Sequence, residues 1–299
     1  MVGHIRRAIA KPWESKQLIF CVGNVVLGGA GKTPVSIDIG KRLVQRKIHF
    51  NYLSRGYGGY ERGPHLVNPA IDDPRRVGDE PLLLSEIAPT WVSRDRVSGA
   101  KCAIKGGVKK IIMDDGLQNP KIEKTFSILI VDGGYGFGNG KVFPAGPLRE
   151  PVAQALNRVG AVVIMGPDLV GVKKELSNLS PKMPLLAVKI IPGPELENIY
   201  PKRVTAFAAI ANPEKFFSTL ENSSCRLVNK IEFPDHHYFT VRDLSSLRHR
   251  AQATNSILVT TEKDWVRLPK DLKQDIQFIT IRLEWDDERA LNSILDLFS

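Results

Sequence analysis

Residues 18 to 40, LIFCVGNVVLGGAGKTPVSIDIG, leave the chain little choice of fold. Leu18 to Val22 is an apolar run of strand length, and Val35, Ile37 and Ile39 resume beyond a glycine cluster, with Thr33-Pro34 between. Pro34 suits the first turn of a helix, where a missing N–H costs nothing. The stretch therefore predicts strand, glycine turn, helix. Gly28, Gly29 and Gly31, with Ala30 among them, let several backbone N–H groups converge, and the helix that follows adds the positive end of its dipole. Such a turn, from Gly28 through Pro34, binds phosphate. Lys32 then reaches the β- and γ-phosphates as a mobile charge, and the Thr33 hydroxyl ligates Mg²⁺. The strict pattern G-x-x-x-x-G-K-T misses by one residue, because its first glycine falls on Val26. A glycine-rich turn that binds nothing is the bland alternative.

Further along, similar junctions recur. A strand from Ile48 to Leu53 runs into Ser54-Arg55-Gly56-Tyr57-Gly58-Gly59, a polar loop at the carboxyl end of a strand, where open α/β sheets place ligands. Arg55 is there either an anion contact or a solvated arginine. Val77-Gly78-Asp79-Glu80-Pro81 leads into an apolar helix, Leu82 to Ile87. Asp79 reads as its cap, or as a carboxylate beside a phosphate site that accepts a proton from an attacking hydroxyl. Arg94, Asp95 and Arg96 follow a short strand, Thr90 to Ser93, as phosphate contacts or a charged helix start. Lys109 to Met113 is a β-branched run ending in Asp114-Asp115, the expected metal-side carboxylates of a phosphate-loop protein. Strand alternation sends the two aspartates to opposite faces, so that one approaches the metal. Ile128 to Val131 ends at Asp132 and opens into a long Gly/Pro loop carrying Arg149 and Glu150, which read as an exposed ion pair. Ala161 to Met165 completes five or six parallel strands.

Prolines 181, 184, 192, 194 and 201 then mark a boundary around Leu185 to Ile191. Alternation restarts beyond it, with strands over Val204–Ala211, Arg226–Ile231, Ile257–Thr260 and Gln277–Leu283, and helices over Pro213–Leu220, Val241–Ala253 and Asp287–Leu297. The expected organisation is a core domain at 1–183, an extended or hairpin linker at 184–202, and a smaller α/β domain at 203–299. Two spots in the second half stand out. Asp235-His236-His237 occupies a strand-to-helix loop, offering metal ligands, an imidazole that orients a carboxylate, or plain surface; Thr260 to Asp264 lies at a strand's carboxyl end.

With 299 residues, the chain has room for two α/β domains. Its excess of basic residues, 42 Lys+Arg against 32 Asp+Glu, gives +10 and suits phosphorylated ligands, nucleic acid or an anionic membrane face without choosing among them. Three scattered cysteines support neither disulfides nor zinc. No apolar run is long enough to cross a bilayer, and no signal peptide is visible. Ile5, Ile9 and Trp13 recur at helical spacing beside Arg6, Arg7 and Lys11, an amphipathic surface anchor or an N-terminal helix packed on the domain.

Taken in order, VGNVVLGGAGKTP, LSRGYGG, VGDEP, MDDGLQ, VDGGYGFGNG, FPAGPLREP, FPDHHYF and TTEKDWVRL, between residues 22 and 268, resemble one family: the tetraacyldisaccharide 4'-kinases, the lipid A 4'-kinases of Gram-negative bacteria. The resemblance implies a P-loop NTPase-like αβα N-terminal lobe of three layers and a smaller α/β C-terminal lobe. It implies transfer of the ATP γ-phosphate to the 4'-hydroxyl of a tetraacyldisaccharide 1-phosphate, giving lipid IVA for lipid A and lipopolysaccharide. Lys32 and Thr33 would serve the phosphates and Mg²⁺, with Asp114 and Asp115 on the metal side. Asp79 would be the base, paired with His236. Arg55, Tyr57, Arg96 and Glu150 would contact substrate or phosphate. The implied protein is a monomer that meets the cytoplasmic face of the inner membrane peripherally and binds no nucleic acid. Asn119 stands where the family usually has His, and seventeen residues precede Leu18 where family members tend to begin with a longer hydrophobic or amphipathic helix. The competing class is a regulatory P-loop GTPase or metallochaperone, but Asp114-Asp115-Gly116-Leu117 is no D-x-x-G switch and Glu262-Lys263-Asp264 has the wrong spacing for a guanine reader. A basic nucleic-acid ATPase lacks aromatic platforms among its Lys and Arg.

Overall fold

The structure, a computed structural model, describes residues 11–200, 202–223 and 225–299. It divides into two units, Met1–Ile190 with Leu283–Ser299, and Ile191–Arg282.

The first unit is built on strands β1 (Leu18–Gly23), β2 (Asn51–Ser54), β3 (His65–Leu66), β4 (Thr90–Val92), β5 (Lys110–Asp114), β6 (Phe126–Asp132), β7 (Ala161–Met165) and β8 (Leu185–Pro192). They order as β8-β7-β6-β1-β5-β2-β4-β3, all parallel except the short β3 against β4. Central strands are apolar on both faces, and their alternate residues feed two separate cores. Ile19, Cys21, Ile111, Met113, Leu129 and Val131 pack with Ala100 and Ala103 of the helix Arg96–Lys105 and with Val152 and Leu176. Phe20, Val22, Ile112, Ile128 and Ile130 pack on the opposite side with Val35, Ile39 and Leu43, spaced by four along the helix Lys32–Gln45. Helices therefore cover both faces, giving three layers. Register fixes the functional edge: Val22 pairs with Asp114, so the carboxyl ends of β1 and β5 lie together, and Gly23 pairs with Leu129, beyond which β6 continues to Asp132.

The second unit has its own parallel sheet, from β9 (Arg203–Ala208), β10 (Arg226–Glu232), β11 (Ile257–Thr261) and β12 (Ile276–Ile279), ordered β10-β9-β11-β12. Val204, Ala206 and Val259 face Phe217 and Leu220 of the helix Pro213–Asn222, while Phe207 and Leu258 face Leu244 and Leu247 of the helix Val241–Ala253.

Four expectations change. The segment between the prolines is not an extended linker through its whole length, because Leu185 to Pro192 is the eighth strand, paired Val162↔Leu185 and Val163↔Leu186 with β7. Its buried Leu186 and Val188 are ordinary inward strand positions. The expected strand at 277–283 is two strands, β12 and β13 (Ile281–Trp285), and β13 lies beside β8 at the edge of the larger sheet, making nine strands among the described residues rather than five or six. The end of the chain belongs to the first unit, where Leu291, Leu295 and Phe298 join the core around Phe20. Trp13 is not on a helix: its N–H bonds the Lys121 carbonyl (2.8 Å), it bridges Ile122, and its ring packs on the first unit's core. Ile5 and Ile9 lie outside the described residues. Among the described residues no helix is long and apolar enough to cross a membrane.

Candidate functional site

The turn after β1 ends on Gly31, whose φ of +87° caps the helix Lys32–Gln45. A side chain there is strained by the left-handed backbone, and a Cβ would also have to push aside the flexible end of Met165, whose Cε it would meet at 2.7 Å. No side chain caps this helix and no acidic residue occupies its first turn, so its N–H groups and dipole are turned toward an incoming anion. The missing first glycine has a structural explanation. Val26 bridges Leu148 in antiparallel fashion, Leu27 N–H bonds the Pro147 carbonyl (2.8 Å) and Arg149 N–H bonds the Val25 carbonyl (2.6 Å). The front of the turn is thus laced to a second loop in an extended conformation that valine adopts readily. Asn24 braces it from within, donating to the Val26 carbonyl (2.9 Å) and accepting from Lys32 Nζ (3.2 Å).

Lys32, Thr33, Asp114 and Asp115 come together at this turn. Asp114, fully buried, accepts from Thr33 Oγ1 (3.2 Å) and Ser36 Oγ (2.8 Å). Asp115 lies 3.7 Å from Lys32 Nζ and accepts from Arg149 Nη1 (2.8 Å). The expectation that the two aspartates diverge is corrected: β5 ends at Asp114, and Asp115 takes a left-handed φ of +52°, so strand alternation no longer applies. Their environments differ in sign. Burial pushes the Asp114 carboxyl up to about 7, with the charge of Glu80 adding and the Ser36 hydroxyl and Lys32 opposing. Burial acts likewise on Asp115, but Lys32, Arg149 and Arg96 hold its carboxyl below the usual range.

Arg96, at the start of its helix, is buried, and Nη1 donates to the Ser93 carbonyl (2.6 Å). Burial brings its guanidinium down to about 10 against the attraction of Asp115, and the charge of Arg55 works in the same direction as burial. Arg96 thus shares the electrostatic field of the two aspartates, with Arg55 close enough to repel it. Tyr57 is exposed on the same loop as Arg55. Asp79 is buried, and the cap expected of it is supplied by Gly78, at φ +92°; Asp79 is the first helical residue and its Oδ1 accepts from the N–H of Glu80 (2.9 Å). A Cβ on Gly78 would strike the Tyr57 carbonyl at 2.5 Å, so the loop bearing Arg55 and the helix bearing Asp79 are in close contact.

The pairing of Arg149 with Glu150 is also corrected. Arg149 binds Asp115 and reaches Gln118 Oε1 (3.3 Å), whereas Glu150 is buried and pairs with Arg158 (2.7 Å) while accepting from Gln118 Nε2 (3.1 Å). Gln118 Nε2 also donates to the Asn24 carbonyl at 2.7 Å. Gln118, Asn24 and Ser36 were invisible as site residues in sequence; the one signal for Gln118 was its place after Asp114-Asp115. Asn119 instead turns Oδ1 to the Lys121 N–H (2.8 Å), closing a local turn. The buried Nε atoms of Arg96 and Arg149 have no hydrogen-bond partner among the described residues. Two orphaned guanidinium donors beside an uncapped helix start fit a polyanion such as a triphosphate.

In the second unit, His236 and His237 separate in role. The His237 ring stacks on Phe233 (centroids 4.9 Å apart) and its Nε2 lies 3.0 Å from Asp243 Oδ2, so it is committed to the packing of its own loop. His236 has a left-handed φ of +61°, its N–H bonds the Ala209 carbonyl (3.1 Å), and Nε2 lies 3.8 Å from Asp235.

Among the described residues no cluster of three or more His, Cys, Asp or Glu side chains could hold a metal. Mg²⁺ needs no such cage, since one or two carboxylates, a hydroxyl, phosphate and water satisfy it. Thr33, Asp114 and Asp115 meet that requirement.

A family model described as tetraacyldisaccharide-1-P 4'-kinase matches residues 2–298. The tetraacyldisaccharide 4'-kinase of Paramagnetospirillum magneticum is 46% identical over 294 residues, covering 98% of this chain and 90% of that protein. Its namesake from Gluconobacter oxydans is 44% identical over 297 residues, covering 98% and 89%. A crystal structure described as the "apo" form of LpxK from Aquifex aeolicus in complex with ATP matches with a TM-score of 0.76 at 21% identity, over 99% of this chain and 95% of that one, which is a likeness of fold.

Proposed function

The chain belongs to the tetraacyldisaccharide-1-P 4'-kinase family, and we propose on that premise that it transfers the γ-phosphoryl group of ATP to the 4'-hydroxyl of a tetraacyldisaccharide 1-phosphate in lipid A biosynthesis, through the site just described. Membership sets aside the regulatory GTPase and metallochaperone readings. One observation carries the site assignment: an uncapped helix start at Gly31 with Lys32, Thr33, Asp114 and Asp115 gathered at its mouth.

Phosphoryl transfer asks a protein mainly to align nucleophile and phosphorus and to neutralise the equatorial oxygens. The N–H groups from Gly28 to Thr33 cradle the phosphates, and Lys32 moves from Asn24 to the β/γ oxygens. Arg96 and Arg149 offer their unpartnered Nε groups, with Arg55 near Arg96. Thr33 and Asp114 would hold Mg²⁺, with Asp115 beside them, and the ion would supply positive charge against the phosphate oxygens. Asp79 takes the proton of the 4'-hydroxyl, and His236 is its partner. Tyr57 serves the acceptor from its exposed place on the Arg55 loop. Glu150, bound to Arg158 and Gln118, acts through Gln118, holding it against Asn24. An acceptor with four acyl chains is met at a membrane surface, and the charge of +10 suits the anionic cytoplasmic face of the inner membrane. In this reading the protein acts as a monomer.

The test is transfer of label from ATP to the disaccharide 1-phosphate in detergent. Asp79→Ala and His236→Ala should each lower kcat by at least about a hundredfold while ATP affinity stays within about threefold. Equal losses in both quantities would remove the base assignment.

A further inference from the structure

The sequence segment Thr260 to Leu268 has no part in the reaction as described, yet among the described residues it holds the most completely buried ion pair of the second unit. β11 ends at Thr261, and the short helix Glu262–Arg267 folds Asp264 and Arg267 back beneath the end of β9. Both residues are buried, their side chains 0% and 1% exposed. Asp264 Oδ1 accepts from Arg267 Nη1 at 3.0 Å, and Oδ2 accepts from Thr261 Oγ1 at 2.7 Å. The pair closes on the single residue that follows the neighbouring strand β9. Asp264 Oδ2 accepts from the Ala209 N–H (3.1 Å), and Arg267 Nη1 donates to the Ala209 carbonyl (2.7 Å). That same carbonyl accepts the N–H of His236 at 3.1 Å.

We propose that Asp264 and Arg267 are positioning residues for His236, acting through Ala209. The inference rests on the reading of His236 as partner of the base. Its physical basis has two parts. A buried ion pair contributes little to stability compared with apolar residues of the same volume, so fold stability alone does not call for one here. It does, however, fix direction, because both polar groups of Ala209 are held by oppositely charged ends of one rigid unit. His236, for its part, sits at φ +61°, a conformation that a non-glycine residue keeps only where its surroundings determine it. His237 is set by its own ring stack and by Asp243, whereas the backbone of His236 hangs from the Ala209 carbonyl. Moving that carbonyl by an ångström moves the imidazole with it, and misplacement on that scale is costly in catalysis.

Arg267→Met keeps most of the volume and removes the donor; Asp264→Asn keeps the shape and removes the charge. In the full-length enzyme Arg267→Met should lower kcat at least about tenfold while the KM for ATP stays within about twofold, as expected of a positioning residue that acts through His236 and not on the nucleotide. In a His236→Ala background the same substitution should change kcat by less than about twofold, because the side chain it positions is gone. Amide hydrogen exchange gives a readout apart from activity: the His236 N–H should exchange at least about tenfold faster in Arg267→Met while those of Leu244 and Leu247 keep their protection. If Arg267→Met does not fold, Asp264→Asn is read in the same three ways. Multiplicative losses in the double variant, or an unchanged His236 amide, would overturn the positioning role. A crippled His236→Ala beside a fully active Arg267→Met overturns this inference alone. A fully active His236→Ala overturns the reading on which it rests, and the inference with it.

Discussion

Asp72 is buried, yet it holds together the loop that precedes Asp79. It accepts from His65 Nε2 (2.7 Å) and the Asn68 N–H (2.8 Å) through Oδ2, and pairs with Arg76 Nη1 (2.9 Å) through Oδ1. Burial alone raises its pKa, but the Asn68 N–H, His65 and Arg76 more than reverse this and hold the carboxyl below its usual range. A carboxylate depressed in the folded state binds fewer protons there than in the unfolded chain. Its stabilisation is therefore full above the ordinary value and is lost as pH falls through the lower folded one. Asp72→Asn should cost about 1–3 kcal/mol at neutral pH. In urea unfolding the gap from wild type should narrow as the pH is taken below about 4; a gap constant across that range would show that the charge of Asp72 is not what stabilises the loop. Residues of this kind mark the limit of reading a site from sequence. Lys32 and Thr33 were legible because the glycine turn and Pro34 fix where the helix starts. The convergence of Asp115 was not, because one residue at φ +52° reverses a strand's alternation. Arg149 was assigned to its neighbour Glu150, whereas its partner lies 34 positions away, a distance that only the sheet register bridges.

Among the elements, the chain's last helix, Glu288–Leu295, shows what composition conceals. Its apolar positions were plain in sequence, but which sheet they cover depends on where β13 goes, and the prolines flanking Leu185 to Ile191 masked the strand that β13 joins. In the structure Leu291, Leu295 and Phe298 fill the face of the larger sheet beside Phe20, with the Phe20 and Phe298 rings 5.1 Å apart. Polar contacts tie the same helix, and β13 before it, to the helix that starts at the phosphate turn: Arg42 makes a bidentate bond to Glu288 (2.7 and 2.9 Å), and Trp285 Nε1 of β13 donates to Asp38 (2.8 Å). The surface pairs contribute little, whereas the buried ring contributes much. Phe298→Ala should therefore destabilise the first unit by about 3–5 kcal/mol. Removing the Arg42–Glu288 pair by Glu288→Ala should cost less than about 1 kcal/mol. Denaturant unfolding followed through Trp285, with the other three tryptophans replaced, separates the two. Comparable losses would mean that the helix is held by its charges rather than by its apolar face.

For the molecule as a whole, the second unit is an insertion in the first. The chain leaves the larger sheet along β8 and returns along β13, and these strands are neighbours there, with the Asp286 N–H bonded to the Ala187 carbonyl at 3.0 Å and the Ala187 N–H to Asp286 Oδ1 at 2.9 Å. Each unit has a separate sheet and two apolar clusters drawn from its own residues. A body whose ends meet on adjacent strands and whose core is self-contained can be removed without opening the core of its host. Replacing residues 191–282 by a Gly/Ser linker of about 4–6 residues should thus leave a folded first unit. All the residues given to the phosphates and metal, from Gly28 through Asp115 to Arg149, remain in it, whereas His236 and its Asp264–Arg267 clamp are removed. Such a protein should bind Mg²⁺ with a non-hydrolysable ATP analogue within about tenfold of the full chain's Kd, and should transfer no measurable label to the disaccharide. Calorimetric titration checks the first expectation and the label-transfer assay the second. Loss of nucleotide binding by a folded deletion variant would place part of the nucleotide site in the second unit; retained transfer would deprive His236 of its role.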